Sequence, residues 1–159
     1  MSRYDWVLFL HVLSAFALVA AVVVYAFLIA SSRSLSVPSD VVRVFRLSRL
    51  AGVLFAVGSI GVLVFGLWLA VDVDGYAVWD GWILAALVLW VLVGAASNRS
   101  EKAYNAARDR ARGLVAEGRD APSPELNGLL RTPTGLALYG VSVALVLLLL
   151  VDMIFKPGA

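Results

Sequence analysis

The residues in this chain best suited to chemistry are few and lie inside apolar stretches. His11 is the only histidine, and it stands five residues after Trp6. At about 1.5 Å per helical residue, this spacing puts the imidazole about 7–8 Å beyond the level of the tryptophan. An ionisable group at such depth in a bilayer indicates a functional site by default. The structural alternative is a hydrogen bond from His11 to a neighbouring helix, with Ser14 one turn further on.

His11 is also the candidate ligand for haem or a metal. The chain has no cysteine and no second histidine, so bis-histidine ligation would need two copies of the protein. Met153, the one methionine besides the initiator, would complete a His–Met haem site. A single methionine in an apolar helix is more often a packing residue, and copper is a further alternative for the same pair. The cofactor therefore stays unknown from the sequence.

Asp152 is the second unusual charge, since a carboxylate near a helix C-terminus opposes the helix dipole. Lys156 follows four residues later in the favourable acid-before-base order, which predicts an ion pair at the membrane interface. The alternative is that Asp152 lies beside His11 in a proton or cation relay. The candidate ligand- or ion-binding residues are His11, Ser14, Ser59 and Asp152.

The sequence offers no catalytic residues. It has no grouping of serine, histidine and aspartate, no phosphate-binding glycine loop and no cluster of carboxylates. Hydrolysis is therefore unsupported, and we expect a protein that is not an enzyme. Nucleic-acid binding is not expected either, because the arginines border apolar runs and are explained by membrane topology.

The composition places the chain in a lipid bilayer. Of its 159 residues, 62% are hydrophobic and 15% are charged, with a mean hydropathy of +0.91. A soluble domain has about a quarter of its residues charged, and a bilayer core takes about 20 helical residues to cross. We predict an all-α, polytopic four-transmembrane-helix bundle in one domain of residues 1–159. The predicted spans 1 to 4 cover residues 6–31, 49–71, 80–98 and 134–155.

Basic residues predict which side of the membrane each loop faces. The loop after span 1 and the segment after span 3 hold eleven lysines and arginines, whereas the termini hold Arg3 and Lys156 and the loop after span 2 holds none. Cytoplasmic loops are enriched in these residues. We therefore predict a bacterial plasma (inner) membrane protein with both termini outside and loops 1 and 3 in the cytoplasm.

Three arginines recur every three residues before span 2. They lie on a predicted helix that starts at Asp40, with Ser39 as its N-cap, and runs straight into the span. A basic stripe on the cytoplasmic side attracts anionic lipid headgroups, and the alternative is an anion-binding entrance. These residues are Arg43, Arg46 and Arg49.

The other connections have their own signals. Residues 72–75 predict a turn, and Asp80 is placed to cap span 3. After span 3, apolar residues at intervals of three and four predict a cytoplasmic amphipathic helix that continues to about Gly118. Thr132 then opens span 4, which should end at Phe155.

Small residues in span 2 predict close helix packing. Lipid tails are as apolar as leucine, so helices associate in a membrane through close approach and polar contacts. We place span 2 at the bundle centre for this reason, although the same residues could instead leave a crevice for a ligand. They are Gly52, Ala56, Gly58, Ser59, Gly61 and Gly66.

Residues 10–15 around His11, the glycine-rich second span and the closing residues 153–158 together resemble a bacterial family of predicted integral membrane proteins of unknown function. The segment around His11 is more remotely similar to the first helix of copper-resistance D proteins and HemJ-type protoporphyrinogen oxidases. That similarity implies a histidine tied to copper or haem, and it reaches His11 alone.

Three functions remain open at this point. The first is a non-enzymatic membrane protein that handles a small solute, an ion or a lipid, for example by transport. The second is a haem- or metal-binding redox protein built on His11. The third is an accessory subunit of a membrane complex. The expected partners are the lipid bilayer and a possible second copy of the chain.

Overall fold

The computed structural model describes residues 2–72 and 77–157, and these residues form helices and connecting turns. Four helical segments are long and apolar enough to cross a membrane. The prediction of an all-α protein with four membrane-length segments is therefore confirmed. The helices are α1 (Arg3–Ser32), α2 (Pro38–Val44), α3 (Leu47–Asp72), α4 (Gly81–Ala116), α5 (Pro124–Leu130) and α6 (Pro133–Phe155).

Local sequence explains where the helices begin and end. Ser2 and Asp5 form a reciprocal capping box at the start of α1. The Ser123 hydroxyl accepts a hydrogen bond from the Leu126 N–H at the start of α5. Helix α6 stops at Lys156, whose backbone takes the left-handed conformation. Asp80 stands at the N-cap of α4, but its carboxylate accepts a hydrogen bond from the Ala77 N–H, at 3.0 Å, rather than from the helix.

The expectation of one straight helix from Asp40 into span 2 is wrong. The helix starts earlier, at Pro38 with Val37 as its N-cap instead of Ser39, and it breaks at Phe45 before α3 begins. Phe45 is buried among the residues of α4 and α5, so the chain turns there to place this ring in a core.

The amphipathic extension predicted after span 3 is present as the continuation of the same helix, because α4 runs unbroken to Ala116. The seven-residue helix α5 was not predicted, and it begins where Ser123 and Pro124 supply an N-cap and a first-turn proline. The predicted turn at residues 72–75 falls mostly outside the described residues.

The membrane-length helices pack as two pairs, α1 with α3 and α4 with α6. Contacts between the pairs are sparser and include two hydrogen bonds to backbone carbonyls. Tyr139 on α6 donates to Val22 on α1 at 2.9 Å, and Trp90 on α4 donates to Ser59 on α3 at 3.1 Å. We call the end of the bundle that holds both chain termini the terminal end. Arg3 on α1 and Asp72 on α3 form an ion pair there.

The opposite end, which we call the arginine-rich end, carries a small core of its own. Helices α2 and α5 pack against the last turns of α4, and Arg110 holds Glu125 through two guanidinium nitrogens. Two hydrogen bonds hold the connection before α5 against the start of α2. The Ser123 N–H donates to the Ser36 carbonyl, and the Ser39 N–H donates to the Asp120 carboxylate. The buried residues of this core are Ile29, Val41, Phe45, Tyr104, Ala107, Ala111, Leu126 and Leu130.

Candidate functional site: cavities between the helix pairs

A large cavity of about 590 Å³ lies between the two helix pairs toward the terminal end. All four membrane-length helices line it, and the lining is mostly apolar. The cavity exists because each pair packs closely within itself, whereas the pairs contact each other less. Its lining includes Tyr4, His11, Ala15 and Phe16 from α1, Leu63 and Gly66 from α3, Trp82, Ala86 and Trp90 from α4, and Leu150, Met153 and Lys156 from or beside α6.

His11 reaches this cavity from α1 and lies against α3. A Cβ atom added at Gly66 would stand 2.9 Å from the His11 Cε1 atom, so the missing side chain at Gly66 makes room for the ring. The imidazole also faces the backbone of Val62. Its Nδ1 atom is buried without a hydrogen-bond partner among the described residues. Such an atom is costly to leave unpaired, so a bound group is a natural partner for it.

The two serines among the candidates serve the helix contacts. The Ser14 hydroxyl donates to the Leu10 carbonyl at 2.7 Å, and the side chain fits against Gly61 of α3. Ser59 contributes its carbonyl to the bond from Trp90. Neither serine is among the residues that line the large cavity.

Asp152 and Met153 lie on different faces of α6. Met153 lines the large cavity together with His11, so the structure brings the two candidate haem ligands to one space. Asp152 is buried, and its Oδ2 atom has no hydrogen-bond partner in the described part of the chain. The ion pairs formed between described residues do not include Asp152 with Lys156. The Lys156 ammonium instead stands 5.4 Å from the centre of the Trp82 ring.

The small residues of α3 divide into two groups. Gly58 and Gly61 are buried against α1, and a Cβ added at Gly58 would come within 2.9 Å of the Leu18 Cα and the Ser14 carbonyl oxygen. Gly52 has no heavy atom within 4 Å of such a Cβ, and Ala56 is exposed. The close approach of α1 and α3 therefore rests on the later glycines.

The arginines at 43, 46 and 49 are exposed at the arginine-rich end. Arg43 lies 3.9 Å from the Asp40 carboxylate on the same helix, and the break at Phe45 separates it from Arg49. The three side chains therefore do not share one continuous helix, although all lie near the level where α3 begins.

A small cavity of about 170 Å³ lies between the same four helices, closer to the arginine-rich end. On α4, the large cavity is lined as far as Trp90, and the lining of the small cavity begins one helical turn further on, at Gly94. The lining is rich in polar side chains. They are Tyr25, Ser48, Ser97, Asn98, Ser100, Glu101, Tyr139 and Ser142.

Comparison with protein families identifies the chain. A family model described as "Predicted integral membrane protein (DUF2269)" matches residues 5–157. The chain belongs to this family. The DUF2269 match includes His11, Met153 and every residue of the small cavity, and it confirms the resemblance to a family of predicted integral membrane proteins. Comparisons with curated proteins and with solved structures gave no match.

Sequence reasoning about this DUF2269 protein found His11 and Met153 but missed the small cavity. Its polar residues come from four helices that are far apart in the chain, so no local spacing connects them. One signal was present, because Asn98 and Glu101 follow the apolar part of α4 at an interval of three and therefore share a face.

Proposed function

We propose that this protein binds a membrane amphiphile, with the apolar chain of the ligand in the large cavity and its polar end at the terminal end of the bundle. The observation that carries the proposal is the size and apolar lining of that cavity. Ligand sites in proteins have volumes of about 300–1,000 Å³ and combine an apolar lining with few polar groups. A cavity of about 590 Å³ falls within that range.

The lining favours a lipid over an ion. Most of the exposed lining atoms are apolar, and the described residues include no group of three or more His, Cys, Asp or Glu side chains that could hold a metal ion. Tyr4 and Lys156 stand at the terminal end of the cavity, where a polar or anionic headgroup would meet them. His11 would then face the part of the ligand chain nearest its headgroup, or a hydrogen-bonding group on that chain.

The orientation of the protein completes the proposal. The eleven basic residues of loops 1 and 3 belong to the arginine-rich end, and such residues favour the cytoplasmic side. We therefore place the terminal end, with its cavity, on the outer side of a bacterial plasma membrane. The ligand is then expected to come from the outer leaflet.

Filling the large cavity should release the ligand. We expect Ala15→Phe to lower the amount of lipid that co-purifies with the protein in mild detergent about tenfold, equivalent to about 1.4 kcal/mol of binding free energy. The new ring would occupy space between α1 and the opposite pair. The measurement is mass spectrometry of lipids extracted from the purified protein.

Ala144→Phe is the matched control, because Ala144 is exposed on α6 and lines neither cavity. This variant should retain as much lipid as the parent protein. Equal lipid retention in both variants, or no retained lipid in the parent protein, would contradict the proposal.

A haem site is the second candidate function, and one observation favours it. His11 and Met153 line the same cavity, and the His11 Nδ1 atom lacks a hydrogen-bond partner among the described residues. Histidine and methionine are the axial ligands of haem in cytochromes c. The two side chains would hold the haem iron between the helix pairs.

The haem candidate predicts a Soret absorption band in protein purified from haem-supplemented cells. His11→Ala should abolish the band, because it removes the only histidine. Met153→Leu should leave haem bound but change the spectrum of the reduced form. A parent protein without any Soret band would eliminate this function and leave the amphiphile proposal intact.

A further inference from the structure

Four of the six hydroxyl groups that line the small cavity have already used their protons. A hydroxyl has one proton and two lone pairs, so a hydroxyl that donates to a backbone carbonyl offers only an acceptor to any ligand. Four lining hydroxyls are in this state. Ser48 donates to Phe45 at 2.7 Å, Ser100 to Gly135 at 3.2 Å, Tyr139 to Val22 at 2.9 Å and Ser142 to Leu138 at 3.1 Å.

Glu101 adds a negative charge to the lining of the small cavity. Its carboxylate lines the small cavity and takes part in none of the ion pairs formed between described residues. Arg108, two turns further along α4, pairs with Asp109 instead, at 3.5 Å. Asn98 lies on the same face of α4 and lines the cavity as well.

Aromatic rings complete the lining. Tyr25 and Tyr139 face the cavity, with ring centres 5.9 Å apart, and Tyr25 also packs edge-on against the buried ring of Tyr104. The faces of such rings attract cations. The volume of about 170 Å³ is well above what one water molecule needs, so the cavity is too roomy for a bare ion and suits a small organic cation.

We propose that the small cavity binds a primary ammonium group, with Glu101 as its counter-ion. An ammonium group has three N–H donors and no acceptor, so it matches the four hydroxyl oxygens that can only accept and the Glu101 carboxylate. Two sources carry this group, a free small amine and the headgroup of an ethanolamine lipid. The site is separate from the large cavity and does not depend on what that cavity holds.

The test measures thermal unfolding by tryptophan fluorescence in phosphatidylcholine nanodiscs. Ethylammonium chloride replaces tetramethylammonium chloride stepwise, so the ionic strength and the charge of the cation stay constant while N–H donors are added. We expect the unfolding temperature to rise with ethylammonium concentration, since a ligand that binds the folded state stabilises it. Potassium chloride in place of ethylammonium should not raise it.

Two variants locate the effect. Glu101→Gln should shift the ethylammonium concentration needed for half of the stabilisation upward about tenfold, because it removes the charged acceptor. Glu117→Gln removes the same charge from the end of α4, outside the cavity, and should behave like the parent protein. Glu101 is exposed on one side, so the glutamine variant is expected to fold.

The remaining outcomes decide the proposal and the source of the amine. No stabilisation by ethylammonium, equal stabilisation by potassium, or an unchanged response in Glu101→Gln would overturn it. Repeating the titration in nanodiscs that contain phosphatidylethanolamine separates the two sources. A response lost in those nanodiscs identifies the lipid headgroup, and a response kept in them identifies a free amine.

Discussion

Gly58→Ala is expected to destabilise the protein by about 2 kcal/mol or more, within the range measured for overpacked sites. The added methyl group would meet backbone atoms of α1 at Leu18 and Ser14, and backbone cannot rotate away as a side chain can. Helices α1 and α3 would have to separate along their contact. The free energy of unfolding in mixed micelles of increasing dodecyl sulfate content measures the change.

The same substitution at Gly140 serves as the control for Gly58. Gly140 lies within α6, and no heavy atom is within 4 Å of an added Cβ. Alanine is a better helix former than glycine, so Gly140→Ala should stabilise the protein by about 0.5–1 kcal/mol. If both variants changed stability in the same direction and to the same extent, Gly58 would not be the point of closest approach between α1 and α3.

Leu126→Ala is expected to have an effect of similar size at the arginine-rich end. Leu126 is 0% exposed in the core that joins α2, α4 and α5, and removing such a side chain costs about 2–5 kcal/mol. Helix α5 has seven residues and should detach from α4 once this contact is lost. Tryptic cleavage after the exposed Arg119 should then accelerate about 30-fold, as a loss of about 2 kcal/mol of local stability predicts.

Val115→Ala is the control for this core. Val115 lies on α4 near the same end but is 40% exposed and belongs to none of the buried contacts there. Surface substitutions of this kind change stability by about 0.5 kcal/mol or less. Cleavage after Arg119 should therefore keep the rate of the parent protein, and equal acceleration in both variants would argue against a specific role of Leu126.

The membrane helices were predictable because their signal is local. Each span needs only a long apolar run, and the end of α6 at Phe155 followed from the residues after it. The break at Phe45 could not be read from the same signal. It depends on a ring buried against α4 and α5, which stand far away in the sequence, so tertiary packing overrides the helical pattern between Asp40 and Arg49.

The candidate site was predictable only in part. His11 and Met153 were identifiable by type, since each is nearly unique in the chain, but their common cavity depends on the way α1 and α6 come together. Spacing alone assigned Gly52 and Gly58 to one packing surface. The structure gives them different surroundings, because the two helices approach each other closely at Gly58 and leave open space at Gly52.

The pairing of neighbouring helices bears on how the protein is made. Helices α1 and α3 are consecutive spans, and so are α4 and α6. The first helix of each pair therefore meets its main partner as soon as the second helix leaves the ribosome. Contacts that are local in sequence form quickly. The first hairpin can therefore assemble in the bilayer while the second is still being synthesised, and the bonds from Trp90 and Tyr139 join the finished halves last.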